Sequence, residues 1–181
     1  MKSICVYCGS SSGTSPVYAD AARALAHALV EQNLNLVYGG GNVGLMGILA
    51  DEMMRLGGDV TGVIPKLLLE TESGHLGITR LRIVKDMHER KAMMADLCDG
   101  FIALPGGIGT LEELVEMLTW QQLGFHQKPV GLLNVDGFYD GLLRFLEHMV
   151  RQGFLQSVHR ASLLQSTLAE DLIQQFKMVQ Q

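Results

Sequence analysis

Three glycine turns, at Gly9, at Gly39-Gly40-Gly41 and at Gly106-Gly107-Ile108-Gly109, each stand directly after a short apolar run and ahead of a helical pattern. Near-continuous apolar runs separated by amphipathic helices predict a parallel sheet covered on both faces. In such a sheet ligands lie outside the carboxyl ends of the strands, where the chain order reverses. Three glycine turns on that one edge are harder to explain as mere chain reversal than one would be. The pattern predicts an α/β, Rossmann-like, doubly wound parallel sheet with a ligand crevice on its glycine edge.

Strands are predicted at Ser3–Cys8, Asn35–Tyr38, Asp59–Ile64, Leu81–Val84, Gly100–Leu104, Pro129–Val135 and Ser162–Gln165. Helices are predicted at Pro16–Glu31, Val43–Leu56, Met87–Leu97, Thr110–Leu123, Tyr139–Arg151 and Leu168–Met178. Ser15 is placed to cap the first helix, with Pro16 at its first position. Thr110 is placed to cap the fourth, with Glu113 as the reciprocal member of a capping box. Lys66 to Thr79 has no clean period and reads as a loop or lid with at most a turn of helix.

At 181 residues the chain is read as one domain, 1–181, with a sizeable core. A net charge of −5 argues against broad nucleic-acid or membrane-surface binding, though not against a small anion held at a helix terminus. Cys5, Cys8 and Cys98 are odd in number, and Cys5 and Cys8 have no second pair to complete a zinc site. Residues three apart on a strand diverge, so two buried reduced thiols are expected and no metal. The first residues, Met1-Lys2-Ser3-Ile4-Cys5-Val6, lack the apolar run of a signal peptide, and no stretch is long enough to span a membrane, so a cytoplasmic location is expected.

Gly39-Gly40-Gly41-Asn42-Val43-Gly44-Leu45-Met46-Gly47 looks like a dinucleotide fingerprint but follows the second strand, with no acidic residue ending a suitable next strand. No phosphate loop of the G-x-x-x-x-G-K-[ST] type is present. Met87-His88-Glu89-Arg90-Lys91 sets two cations in the first turns of a helix, against its dipole. A solvated basic face is the ordinary reading; at the edge of a ligand crevice, Arg90 is better read as a bidentate clamp for phosphate or carboxylate, with Lys91 as an added point charge. After the last glycine turn, Leu111, Leu114, Val115 and Leu118 form an apolar stripe, while Glu112, Glu116 and Thr119 share another face. Glutamates beside a phosphate turn would repel phosphate unless they hold something else, such as ribose hydroxyls or an attacking water.

With its neighbours, Pro105-Gly106-Gly107-Ile108-Gly109-Thr110-Leu111-Glu112-Glu113 resembles the P-G-G-x-G-T-x-x-E signature of the "Lonely guy" cytokinin-activating phosphoribohydrolases, proteins often labelled lysine decarboxylases. The likeness extends over nearly the whole chain, through Cys8-Gly9-Ser10-Ser11, the Gly39 to Gly47 run, Ile64-Pro65-Lys66, the His88-Glu89-Arg90-Lys91 element and Pro129 to Asn134. Ile108 departs from the tyrosine that many members carry. The resemblance implies hydrolysis of the N-glycosidic bond of an N6-modified adenosine 5′-monophosphate, or of AMP itself, to free base and ribose 5-phosphate, by a metal-independent homodimer without cofactor. It implies substrate contacts at Glu72, Arg90, Lys91, Gly107, Ile108, Gly109, Thr110, Leu111, Glu112, Glu113 and Thr119, with Arg90 and Glu113 as the catalytic pair.

The chemistry of those residues is consistent with this. Cleaving C1′–N9 develops oxocarbenium character that a carboxylate at Glu113 stabilises while orienting water. Arg90 is always protonated and so is read as a clamp on phosphate or on Glu113 rather than a proton donor; His88 and solvent are the candidates for protonating the base. A decarboxylase would need pyridoxal phosphate on a lysine, for which Lys91 is the nearest candidate and has no further support. The reading from another class is a nucleotide-binding module or carrier without turnover. Trp120 and Leu123 lie off the apolar stripe of their helix, which points to a homodimer contact there, with Arg82 or His126 able to reach the other subunit's site.

Overall fold

In the computed structural model, which describes residues 1–69 and 73–180, the strands are β1 (Ser3–Tyr7), β2 (Asn35–Tyr38), β3 (Val60–Pro65), β4 (Arg80–Val84), β5 (Gly100–Ala103), β6 (Val130–Leu133) and β7 (Leu163–Ser166). They form one sheet in the order β4-β3-β2-β1-β5-β6-β7, and every neighbouring pair is parallel. From β1 the chain winds outward to β4, then returns to lay β5 on the other side of β1. The order therefore reverses between β1 and β5, and the crevice of a doubly wound sheet opens at that point. Gly9 follows β1 and Gly106 follows β5, so two of the three glycine turns flank it.

The helices are α1 (Pro16–Glu31), α2 (Gly44–Arg55), α3 (Met87–Asp96), α4 (Ile108–Gln122), α5 (Asp140–Arg151), α6 (Ser157–Ser162) and α7 (Ala169–Val179). The two-residue alternation of β1 sends Ile4 and Val6 into a core with α1, α2 and α7, and Cys5 and Tyr7 into a second core with α3, α4 and α5. Fully buried Leu25, Leu29 and Leu49 fill the first, Phe101, Met94 and Met117 the second; each such side chain contributes about 1.5–3 kcal/mol of burial. The three cysteines are free and buried, with Cys5 and Cys8 in opposite cores as expected.

The predicted elements recur with small differences at their ends, and three departures carry physical reasons. Strand β4 is an edge: Arg80, Arg82 and Ile83 are exposed, so only Val84 behaves as a buried apolar residue. Helix α6 was not anticipated, being six residues long and too short for a helical period to register. Thr110 does not cap α4. The helix begins earlier, at Ile108, with Gly107 as the cap and no side-chain cap bond, so the expected Thr110–Glu113 capping box is absent. A side-chain cap occurs instead on α3, where Asp86 accepts from the Glu89 N–H and Glu89 accepts from the Lys85 N–H. At the start of α1 the Ser15 cap and Pro16 stand as predicted. The presumed loop at 66 to 79 opens with a single tight turn at Lys66–Leu68.

Candidate active site

The two turns at the reversal point are tied together before any side chain enters. The Gly9 N–H donates to the Pro105 carbonyl at 3.1 Å, and the Leu45 N–H at the start of α2 donates to the Gly9 carbonyl at 3.0 Å. A Cβ on Gly106 would lie 2.1 Å from Thr110 Oγ1, and one on Gly44, whose φ is +56°, would lie 2.3 Å from Ser10. These glycines are required by the protein's own packing. Gly107 and Gly109 are not: a Cβ on either would meet nothing within 4 Å, and neither has positive φ. The space in front of them is open and lies at the first turn of α4, whose N–H groups have no acceptor within the helix.

That space belongs to a hollow of about 300 Å³ whose walls include Cys8, Ser10, Met46, Leu68, Met87, Arg90, Gly107 to Thr110, Glu112 and Glu113. Arg90 is 5% exposed. Its Nε donates to the Val63 carbonyl at 3.1 Å and one terminal nitrogen to the Gly39 carbonyl at 2.9 Å, at the ends of β3 and β2. Because a Cβ on Gly39 would fall 2.1 Å from that nitrogen, the second glycine turn is shaped to let the guanidinium in. That turn is close-packed around one of the protein's own side chains. Cys8 on the wall has its thiol pushed well up, first by burial and then by the charge of Glu113, so it remains protonated.

The hollow thus brings together Arg90, Gly107, Ile108, Gly109, Thr110, Glu112 and Glu113. Thr110 is buried against Gly106 and Ile108 stands exposed on the rim. Leu111 faces a neighbouring apolar hollow with Phe138 and Tyr139, and its N–H is spent on the Gly107 carbonyl. Lys91 does not line the hollow: its ammonium is buried between α3 and α4, 2.7 Å from Glu112 and 3.0 Å from Glu116. Burial works against that charge, but the two carboxylates more than offset it and hold the amine above its ordinary value. A charged, doubly paired lysine is a poor Schiff-base former. Thr119 lies elsewhere, on a groove between α4 and α5, with its hydroxyl donating to the Val115 carbonyl. Glu72 lies outside the described residues. Met46, Leu68 and Met87 entered the wall without a sequence signal, since an apolar residue beside a ligand reads like a core residue.

His126 is held within its own chain, its ring tilted against Phe101 with centroids 5.2 Å apart, one nitrogen donating to the Met117 carbonyl and the other accepting from the Lys128 N–H. Both ring nitrogens are thus engaged within the chain. Arg82 is exposed on edge strand β4. Trp120 is partly buried against the core behind α4, and Leu123 beyond it is 62% exposed.

A family profile described as possible lysine decarboxylase matches residues 46–176. Cytokinin riboside 5′-monophosphate phosphoribohydrolase LOG7 of Arabidopsis thaliana is 51% identical over 176 residues, which is 97% of this chain and 81% of the relative. LOG2 of the same plant is 53% identical over 96% of this chain and 81% of its own length. Probable phosphoribohydrolase LOGL1 of Oryza sativa subsp. japonica is 50% identical over 96% and 78%. Among solved structures, the molybdenum cofactor binding protein of Rippkaea orientalis has a TM-score of 0.74 at 22% identity, covering 100% of this chain and 99% of that one. The molybdenum cofactor carrier protein of Chlamydomonas reinhardtii has a TM-score of 0.71 at 19% identity, covering 99% and 98%. At those identities the structures share the fold and nothing finer. At half identity over almost its whole length, the chain belongs to the family of cytokinin riboside 5′-monophosphate phosphoribohydrolases, whose profile carries the decarboxylase description.

Proposed function

We propose that this protein acts as one hydrolase domain that cleaves the N-glycosidic bond of adenosine 5′-monophosphate or an N6-modified form of it, yielding the free base and ribose 5-phosphate. The observation that most supports this reading is that Arg90 and Glu113 line one hollow with the open N-terminus of α4. The 5′-phosphate sits against Gly107, Gly109 and Thr110, where the N–H groups of a first helical turn, which have no acceptor within the helix, and the helix dipole favour an anion. The ribose then lies along the first turns of α4, within reach of Glu112 and Glu113. As C1′–N9 lengthens, the carboxylate of Glu113 stabilises the cationic sugar and orients the water that adds to C1′. Arg90, fixed by two backbone carbonyls, supplies the balancing cation without giving up a proton.

The substrate is a small nucleotide, and among the described residues no helix is long and apolar enough to cross a membrane. We further propose a homodimer formed through α4 and the segment after it. Val115 at 44%, Leu123 at 62% and Phe125 at 73% exposure leave an apolar surface there that association would cover. Such a contact would bring Thr119 near a partner's surface. Light scattering on the purified chain tests this: a mass near the 19.8 kDa of one chain excludes a stable dimer.

A carrier that binds without turnover shares the fold and the anion site, as the molybdenum cofactor proteins illustrate for the fold. It has no use for a carboxylate facing the sugar. Incubating the protein with AMP and with its N6-isopentenyl form separates the two readings. Release of free base together with ribose 5-phosphate is expected; binding without release defeats the hydrolase.

A further inference from the structure

Arg90 rests on a stretch of chain that has little stiffness of its own. One guanidinium nitrogen donates to the Gly39 carbonyl at 2.9 Å, and Gly39 begins a run of three glycines, the backbone with the widest conformational freedom. The run is held from outside. The chain returns to it at residues 73–75, where Gly74 forms an antiparallel bridge with Gly41. The Asn42 N–H donates to the Ser73 carbonyl at 3.1 Å, and the His75 N–H donates to the Gly40 carbonyl at 2.9 Å. The carbonyls of Gly39 and Gly40 are neighbours, so what fixes the second limits the first. The His75 side chain then ties this clamp to α2. Its ring is buried, and Nδ1 accepts from the Gly77 N–H at 3.2 Å, which leaves the ring proton on Nε2, donated to Asp51 at 2.9 Å. Asp51 stands on α2 with its side chain 68% exposed and lines no part of the hollow.

We propose that His75 is a positioning residue for the cleavage: hydrogen-bonded to Asp51, it pins residues 73–75 against the Gly39-Gly40-Gly41 turn and so fixes the carbonyl on which the Arg90 guanidinium rests. This rests on the assignment of Arg90 to the reaction. The ordinary reading of a histidine beside an exposed carboxylate is a surface pair, which is worth little. Two observations set this pair apart. The imidazole is buried with both nitrogens engaged, and the same residue's backbone N–H holds the glycine turn. One residue therefore joins α2, the clamp and the turn. Without the tie to α2 the glycine run has no side chain of its own to keep it in place, and Arg90 follows its carbonyl.

The test compares wild type with Asp51→Ala, His75→Asn, His75→Gln and the double variant of the first two, by steady-state AMP hydrolysis and melting temperature. Asparagine keeps an acceptor at the Nδ1 position for Gly77 but cannot reach Asp51; glutamine places a donor near the Nε2 position and keeps that bond. Asp51→Ala and His75→Asn are each expected to lower kcat at least about fivefold with KM changed less than about threefold, and the double variant to be no worse than the weaker single. His75→Gln is expected to recover most of the lost rate. Asp51→Ala is the decisive variant, since its printed tie to the site runs through His75 alone. Wild-type kcat in folded Asp51→Ala overturns the proposal, as does a raised KM with kcat kept. So does His75→Gln as slow as His75→Asn, which would make the ring a space-filler, or a loss of rate that merely follows loss of folded protein. If wild type releases no base, the hydrolase reading fails by itself. The clamp is then read from the Arg90 Nε–H resonance in 15N spectra: displacement in Asp51→Ala and His75→Asn supports it, and an unmoved signal in the folded variants overturns it.

Discussion

The turn at Gly39 to Gly44 and the turn at Gly106 to Gly109 look alike in sequence, yet their glycines answer to different demands. In the first, Gly39 yields to the Arg90 guanidinium, Gly40 has φ +77° and lies against β3, and Gly44 has φ +56° against Ser10. All three of these are needed by the protein itself. In the second, Gly106 is needed to pack against Thr110, but Gly107 and Gly109 face open space with ordinary backbone angles. A glycine that the fold does not need, at a helix N-terminus, is the one to suspect of facing a ligand. The first turn builds the scaffold for Arg90, and the second presents α4 to the substrate.

The sharpest way to break this division is at the far end of the second turn. Glu113→Gln is expected to abolish turnover of AMP, a loss of roughly 3 kcal/mol or more in transition-state stabilisation, while nucleotide binding measured by calorimetry stays largely intact. Hydrolysis at the wild-type rate would reduce the second turn to an anion site and remove Glu113 from the chemistry.

Next in size is Gly39→Ala. Its methyl group must displace the Arg90 nitrogen that bonds to the Gly39 carbonyl, so the guanidinium loses one of its two backbone anchors. A fall in kcat/KM of about ten- to hundredfold is expected, with a loss of stability of about 1–3 kcal/mol for the disturbed buried cation. An active, unaltered Gly39→Ala would show that the first turn does not govern Arg90.

How much of this could be read from the residues follows the range of the interactions. The glycine turns, their strands and the α1 cap are local signals, and they appeared where the sequence placed them. The direction of Arg90 was not legible, because its partners lie 27 and 51 residues earlier in the chain. Lys91 reads as a surface or substrate cation for the same reason, its carboxylates being 21 and 25 residues away. Helix α4 starts two residues ahead of the point its sequence predicts, because Thr110, by type a better side-chain cap than Gly107, packs against Gly106 instead. Glu113 as a cavity residue is legible only through the family signature; by spacing from Thr110 alone it reads as the partner in a capping box.

A smaller effect separates the glycines of the second turn from those of the first. Gly107→Ala introduces a methyl group into open space, so its melting temperature should shift by no more than about 0.5 kcal/mol of stability allows. The same methyl group crowds the phosphate position, and KM for AMP should rise with kcat little changed. Adenosine, which has no phosphate to lose, should be a poor substrate for wild type and no poorer for the variant. Equal kcat/KM for AMP and adenosine in wild type would sink the phosphate assignment.

The smallest predicted effect lies outside both turns and checks that acid sensitivity of the scaffold is distinct from that of the site. His126 is held neutral, its pKa lowered first by burial and also by Lys128, against the opposing pull of the Met117 carbonyl. In that form its Nε2–H donates to Met117 at the back of α4 and its Nδ1 accepts from the Lys128 N–H. Protonation destroys the acceptor. Since the folded state binds this proton less readily than the unfolded chain, its contribution is fully present above the unfolded value of about 6.5 and is lost as pH falls through the lower folded value. Melting temperature should therefore decline on acidification from about pH 7 to pH 5, and the decline should be shallower in His126→Gln. The ring is only partly buried, so the difference is small. Because Met117 anchors α4 from the core side, the variant should keep the wild-type KM for AMP. A raised KM would mean that the placement of the phosphate turn depends on the loop after α4, and the division between scaffold and site would have to be redrawn to include it.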